Sequence, residues 1–97
     1  MRVISRKWLN ELARRHLDAK HSLDAWFHEA EDADWANPTQ LKEQYATASI
    51  LKNGRVVFNV GGNRYRLVVR INCAYRVVYV RFAGTHSEYD QIDSEQM

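Results

Sequence analysis

The chain has 97 residues, of which 45% are hydrophobic and 27% charged, with a net charge of +2, and we expect one globular domain over residues 1–97. No apolar run approaches the roughly 18 residues that a membrane helix needs. Charges interrupt the apolar residues at the N-terminus, so we expect neither a secretory signal nor a membrane-bound protein. The single cysteine, Cys73, excludes an internal disulfide and a cysteine-rich zinc site, and favours a reducing, cytoplasmic location.

The first half of the chain predicts a short strand followed by a helical hairpin. Val3 and Ile4 form the strand, and Ser5 and Ser22 are the expected N-caps of the two helices. Two apolar stripes at helical spacing are expected to face the core, with Trp8, Trp26 and Phe27 inside it. The first stripe contains Trp8, Leu9, Leu12, Ala13, His16 and Leu17, and the second contains Leu23, Trp26, Phe27, Ala30 and Ala33.

The next elements are a short helix and a set of strands joined by tight turns. Asn37 is the expected cap of a helix that begins at Pro38 and continues through residues 39–45. Asn53-Gly54 and the glycine-rich residues 61–63 predict hairpin turns. We expect antiparallel strands over residues 50–52, 55–60, 64–72 and 76–82, and a terminal helix over residues 86–93 with Thr85 as its cap.

Alternation along the two long strands predicts one basic and one apolar face of the sheet. In the first of these strands, Arg64, Arg66, Val68 and Arg70 share one face, and Tyr65, Leu67, Val69 and Ile71 share the other. In the last strand, Val77, Tyr79 and Arg81 share one face, and Val78, Val80 and Phe82 share the other. We expect the helices to cover the face that bears Leu67, which leaves the arginines and tyrosines in solvent.

Charge is distributed unevenly along the chain. Residues 1–43 carry seven basic and eight acidic side chains, residues 44–87 carry seven basic and no acidic ones, and residues 88–97 carry four acidic ones. A stretch without carboxylates indicates an anionic partner. Guanidinium groups bind phosphates bidentately and aromatic rings stack on bases, so the basic face fits single-stranded RNA. The alternative interpretation is an ordinary solvated sheet face.

A second candidate for chemistry follows the last strand directly. His86, Tyr89 and Asp90 share a helical face, and a histidine can act as acid or base near neutral pH. The alternative is a surface capping turn in which Asp90 neutralises Arg81. Because residues 44–87 contain no carboxylate, we expect no metal site, no cofactor and, for any nuclease activity, a metal-independent reaction.

Two long segments resemble the HigB-type toxins: RVVFNVGGNRYRLVV at residues 55–69 and VYVRFAGTHSEYDQI at residues 78–92. Residues 4–7 and 33–38 also fit this family. The resemblance implies an α+β, RelE-like fold with a small antiparallel sheet wrapped by N-terminal helices. It further implies an mRNA interferase that cuts mRNA, usually on the ribosome, and a HigA-type helix-turn-helix antitoxin as partner.

In such an enzyme the 2′-hydroxyl of the RNA attacks the neighbouring phosphorus, which requires an acid, a base and cations. We assign His86 as acid or base, Arg66 and Arg81 as electrostatic stabilisers that converge with it on one phosphate, and Tyr89 as a positioning or stacking group. The expected RNA-binding residues are Arg64, Arg70, Tyr79 and Arg55. Two alternatives remain: a toxin on the same fold that poisons gyrase, and a non-catalytic RNA-binding module.

Overall fold

A computed structural model describes residues 1–92. The terminal helix predicted over residues 86–93 ends at Asp90, and residue 93 lies outside the described range. Within it, five strands and four α-helices follow one another as β1 (Arg2–Ile4), α1 (Lys7–Arg15), α2 (Leu17–Asp32), α3 (Pro38–Gln44), β2 (Ser49–Ile50), β3 (Arg55–Val60), β4 (Tyr65–Asn72), β5 (Val77–Thr85) and α4 (His86–Asp90). The predicted α+β class is confirmed. None of the described helices is both long and apolar enough to cross a membrane.

The strands form one sheet in the order β1-β5-β4-β3-β2. Strands β2 to β5 make the predicted antiparallel meander, and β1 adds a parallel strand beside β5, with Val3 opposite Val78. A parallel neighbour requires a long crossover connection. Helices α1 to α3 and strands β2 to β4 lie between β1 and β5 in the sequence, and β1 forms one edge of the sheet.

The main core lies between the helices and one face of the sheet. Leu67, Val69 and Val78 on that face have no exposed surface, and Leu12 and Trp26 reach them from α1 and α2. The prediction that the helices cover the face bearing Leu67 is confirmed. Full burial of such side chains stabilises the fold by about 1.5–3 kcal/mol each.

Two of the four predicted helix caps are wrong, and the Thr85 cap of α4 is one of the two that are confirmed. Ser5 adopts the left-handed conformation (φ 68°) as the chain leaves β1, and Arg6 occupies the cap position of α1 without a side-chain bond. Helix α2 begins at Leu17, after a break at His16 alone, so Ser22 lies within the helix. The third prediction is confirmed, because the Asn37 side chain accepts a hydrogen bond of 3.0 Å from the backbone of Gln40.

The break at His16 also changes which apolar residues reach the core. Leu17 is 79% exposed and Trp8 is 36% exposed, so the prediction of a core position for Trp8 is wrong, whereas Trp26 is buried as predicted. The Trp8 ring lies 5.5 Å from that of Phe82, on the other side of the sheet from the main core. Phe27 is half-buried beneath the guanidinium of Arg6, 4.0 Å from the ring centre.

A β-bulge in β5 reverses the predicted orientation of Phe82. Val68 lies opposite Phe82, but the next residue, Val69, lies opposite Val80, so Arg81 is an extra residue on its strand. An extra residue shifts the alternation beyond it. Phe82 therefore joins Val57 and Val68 in a second buried cluster, on the face opposite the helices.

Candidate nucleic-acid interface

The arginines gather on the sheet face that carries the Val57, Val68 and Phe82 cluster, called here the arginine face. Residues directly opposite in an antiparallel pair project to the same side. The face is therefore built from three cross-strand rows: Asn59, Arg66 and Gly84; Val57, Val68 and Phe82; and Arg55, Arg70 and Tyr79. The predicted basic face exists, but an apolar row divides it.

The first row brings Arg66 against His86, the first residue of α4. The Arg66 Nη2 atom lies 2.5 Å from the His86 Nε2 atom, and Nη1 lies 3.4 Å from the Asn63 carbonyl oxygen. A guanidinium only donates hydrogen bonds, so Nε2 acts as the acceptor and Nδ1 carries the imidazole proton. Nδ1 faces the Asp90 carboxylate at 3.5 Å. The imidazole is thereby oriented from both sides.

Tyr89 links this pair to the apolar row. Its ring centre lies 6.0 Å from the guanidinium carbon of Arg66, and its side chain packs on the Val57, Val68 and Phe82 cluster. A cation at that distance from an aromatic face is attracted by the ring quadrupole. Tyr89 therefore supports the guanidinium and presents a ring on the arginine face.

Local sequence fixes the start of α4. Thr85 and Glu88 form a capping box, in which each side chain accepts a hydrogen bond from the other's backbone N–H, at 3.2 and 2.8 Å. Arg15 of α1 pairs with Glu88 at 3.0 Å. The pKa of Glu88 is lowered, first by the Thr85 N–H and then by Arg15. A Cβ at Gly84 would lie only 2.6 Å from the Phe82 ring, so this approach requires glycine.

A second cluster occupies the far end of the arginine face. Arg70, Asn72, Tyr79 and Arg81 line a shallow cavity of about 410 Å³. The Arg81 guanidinium carbon lies 5.8 Å from the Tyr79 ring centre. The bulge aims Arg81 toward this cavity. Arg81 therefore belongs to this second cluster and does not join Arg66 and His86 as predicted. The two clusters are about 13 Å apart, because Arg66 and Arg70 are four residues apart on β4 at roughly 3.3 Å per residue.

The two remaining predicted RNA-binding arginines differ in position. Arg55 lies opposite Arg70 and is half-buried within the third row. Arg64 precedes β4, and its guanidinium pairs with Asp18 of α2 at 2.6 Å. The alternation predicted for Arg64 is wrong, because the left-handed Asn63 (φ 72°) turns the chain just before the strand begins.

Sequence reasoning missed residues that enter through long-range pairing. Ile4 lies beside Tyr79 in the parallel pair, so Arg2, two residues earlier, projects to the same side as the arginine face. Arg15 and Asp18 contact the site region only because α1 and α2 pack beside it. No local pattern marks these residues. Among residues 1–92, no three histidine, cysteine or acidic side chains lie close enough to hold a metal ion.

Residues 19–92 match the model of the HigB toxin family, described as the RelE-like toxic component of a toxin–antitoxin system. The chain belongs to the HigB toxin family. The match to this family spans β2 to β5 and α4, and thus nearly all of the arginine face.

Curated relatives of the HigB family cover almost the whole chain. The mRNA interferase HigB of Escherichia coli O6:H1 (strain CFT073) is 26% identical over 94 residues, 95% of this chain and 91% of that protein. The mRNA interferase toxin HigB of Escherichia coli K12 is 30% identical over 92 residues, 93% of this chain and 88% of its own length. The mRNA interferase HigB of Shigella flexneri gives the same figures.

Proposed function

We propose that this toxin is an endoribonuclease that cleaves mRNA, with Arg66 and His86 at the site of reaction. The observation that carries the proposal is the 2.5 Å contact between the Arg66 guanidinium and His86 Nε2, on a face rich in arginine. The pair combines a phosphate-binding cation with a group that can exchange a proton. The names of the curated relatives, all mRNA interferases, support the same substrate.

The proposed reaction is attack of the RNA's own 2′-hydroxyl on the adjacent phosphorus. A base removes the 2′-proton as the 2′-O–P bond forms, and an acid gives a proton to the 5′-oxygen as the P–O5′ bond breaks. The products are a 2′,3′-cyclic phosphate and a 5′-hydroxyl. Negative charge grows on the phosphorane oxygens, where preorganised donors stabilise it most effectively.

His86 is the proposed proton carrier and Arg66 the proposed stabiliser of the phosphorane. When a phosphate displaces the imidazole from the guanidinium, Arg66 keeps its charge and His86 Nε2 becomes available to the reacting hydroxyl. Asp90 would then hold the Nδ1 side of the ring, and Tyr89 would orient the ribose. The position of each side chain beside Arg66 supports its proposed role.

The second cluster is proposed to hold neighbouring nucleotides of the same strand. Arg70, Arg81 and Arg55 supply cations, and Tyr79 supplies a stacking surface. Base–aromatic stacking contributes about 1–3 kcal/mol per base. Arg81 is accordingly proposed to bind a flanking phosphate, and Arg64 is left out because it pairs with Asp18.

We further propose that the partner is a HigA-type helix-turn-helix antitoxin and that cleavage occurs on ribosome-bound mRNA in the cytoplasm. The toxin–antitoxin description of the family supports an antitoxin of some kind. The carboxylate-free stretch of residues 44–87 offers an acidic segment a complementary surface. Co-expression with the neighbouring gene product should restore growth, and continued killing by a formed complex would argue against neutralisation by binding.

The decisive experiment is primer extension on cellular mRNA after induced expression. The wild-type toxin should produce new 5′ ends within coding sequences, and the Arg66→Ala, His86→Ala double variant should produce none. Growth arrest without new mRNA ends would indicate a gyrase poison instead. RNA binding without toxicity would indicate a non-catalytic module.

The same cleavage should not require a divalent metal. Purified toxin should cut a defined mRNA in the presence of EDTA, under conditions in which the integrity of any ribosomes present is checked by sedimentation. Abolition of cleavage while the ribosomes stay intact would overturn the proposed metal independence.

A further inference from the structure

An aspartate on the helical side of the molecule is bonded to the chain segment that enters the site. Asp18 is the second residue of α2, and its carboxylate oxygens both accept from the Tyr65 hydroxyl at 2.8 Å. One of them also accepts from Arg64 Nη1 at 2.6 Å. These contacts lower the pKa of Asp18, with the Tyr65 hydrogen bond the larger favourable cause and Arg64 the smaller.

The backbone of the same segment holds the two reactive side chains. The carbonyl oxygen of Arg64 accepts from the backbone N–H of His86 at 3.2 Å. The carbonyl oxygen of Asn63 accepts from Arg66 Nη1 at 3.4 Å. Residues 63–66 thus connect Asp18 on one side of the sheet to His86 and Arg66 on the other.

The turn before this segment is rich in glycine and is closed by one backbone hydrogen bond, from the Arg64 N–H to the Gly61 carbonyl oxygen at 3.3 Å. Gly61, Gly62 and Asn63 are consecutive residues with positive φ, at 63°, 63° and 72°. Glycine in such a turn is free to adopt many conformations. The Asp18 contacts with Arg64 and Tyr65 add a fixed point just after the turn, beside the carbonyl groups of Asn63 and Arg64.

We infer that Asp18 is a positioning residue that, through Tyr65 and Arg64, sets the geometry of the His86 and Arg66 pair. The inference rests on the proposed function and adds to it a residue on α2 that never touches RNA. Small misplacements at a reacting centre cost rate steeply, about 10²-fold for 1 Å. Loss of Asp18 should accordingly reduce turnover more than RNA binding.

The kinetic test compares Asp18→Ala with Asp24→Ala. Asp24 is the matched control, because it is also exposed on α2 and forms one ion pair, with Lys20 at 2.8 Å. We expect Asp18→Ala to lower the single-turnover cleavage rate at saturating enzyme about 10- to 100-fold. The half-saturating concentration should change by less than about threefold, and Asp24→Ala should match the wild type. Tyr65→Phe, which removes only the hydroxyl, should follow Asp18→Ala.

A readout independent of activity separates this inference from the proposed function. In NMR spectra that resolve the His86 ring, Asp18→Ala should shift or broaden the imidazole resonances, whereas Asp24→Ala should leave them unchanged. Unchanged His86 resonances in a folded Asp18→Ala variant would overturn the positioning role, whatever the cleavage rate. Shifted resonances together with wild-type cleavage by His86→Ala would instead overturn the catalytic assignment.

A double-mutant cycle completes the test. If Asp18 acts through His86, Asp18→Ala should have almost no additional effect on the rate in a His86→Ala background. An undiminished effect in that background would show that Asp18 does not act through His86 and would contradict the inference. Thermal unfolding of each variant identifies any that are not folded at the assay temperature. If Asp18→Ala is not folded, Tyr65→Phe takes its place in the cycle.

Discussion

At the scale of single residues, the site depends on a guanidinium and an imidazole that satisfy each other before substrate arrives. Arg66 donates to Nε2 of His86, and Asp90 faces Nδ1. The arrangement holds the imidazole in one orientation on the surface. It also leaves the cation where a phosphate oxygen can replace the ring nitrogen as acceptor.

Gly61 is, after Gly84, a second position beside the site that has no room for a side chain. Gly61 has φ 63°, and a Cβ there would lie 2.9 Å from the Tyr65 ring, whereas Gly62 has the same φ and open space around it. Gly61→Ala and Gly62→Ala should share a left-handed penalty of about 1–2 kcal/mol. Gly61→Ala should lower the free energy of unfolding further, because the Tyr65 ring must move.

Chemical denaturation of the two glycine variants measures the difference. The same variants also test the positioning role of Asp18, because a displaced Tyr65 ring changes the hydrogen bond between the Tyr65 hydroxyl and Asp18. Equal unfolding free energies for the two variants would mean that the ring moves without cost, and the close approach would then have no energetic role.

At the scale of elements, α4 is a five-residue helix whose stability comes from its cap and from α1. The Glu88 carboxylate accepts from the Thr85 backbone and from Arg15, and these contacts lower its pKa below the ordinary value of 4.5. A carboxyl whose pKa is lower in the folded state stabilises the fold above its ordinary pKa, and this stabilisation is lost as the pH falls through the folded-state value.

We therefore expect Glu88→Gln to reduce the dependence of stability on pH below about 4.5. Thermal unfolding followed between pH 3 and pH 6 should show a shallower acid loss for Glu88→Gln than for the wild type. Part of the loss of stability in acid should persist in Glu88→Gln, because the lowered pKa of Asp18 acts in the same direction. Identical curves for the two proteins would show that the Glu88 contacts do not differ between the folded and unfolded chains.

The strands also show which features of the fold can be predicted from the sequence. Alternation along residues 64–71 correctly predicted the covered face, because burial of Leu67 and Val69 dominates the orientation of β4. The bulge at Arg81 was not predictable, since an inserted residue leaves the local pattern of β5 unchanged. The same is true of the parallel pairing of β1, which depends on distant residues.

The candidate site could likewise be predicted only in part from the sequence. His86, Tyr89 and Asp90 share a helical face, and the geometry brings them to Arg66. Arg81 and Arg64 depart from the prediction for two physical reasons, a bulge and a left-handed residue. No sequence pattern pointed to Asp18, because its partners Arg64 and Tyr65 lie 46 and 47 residues away in the sequence.

At the scale of the whole molecule, the sheet separates a structural side from a binding side. The helices and main core occupy one side, and the arginine face occupies the other with a small cluster of its own. Arg55, Arg66, Arg70 and Arg81 belong to that face, and Arg2 projects to the same side from β1. Substitution of charged residues on the binding side should therefore have little effect on the stability of the fold.

RNA affinity should depend strongly on salt. For single strands the logarithm of affinity falls with the logarithm of salt by about 0.7 per neutralised phosphate. In fluorescence anisotropy with an RNA oligonucleotide and the His86→Ala variant, Arg70→Ala should reduce this slope by about 0.7. Arg14→Ala, an exposed change on α1, should leave it unaltered. An equal loss of slope for both variants would show that RNA does not bind specifically at the arginine face.

Single-turnover cleavage of a defined mRNA tests whether Arg66 and His86 carry out the cleavage of RNA. It compares the wild type with Arg66→Ala, His86→Ala and a control, His28→Ala, which changes an exposed histidine on α2. We expect losses of about 10²-fold or more for the two site variants. We also expect wild-type rates for the control, and 2′,3′-cyclic phosphate and 5′-hydroxyl ends on the products. Wild-type cleavage by folded His86→Ala, or products that end in a 3′-hydroxyl, would show that this assignment is wrong.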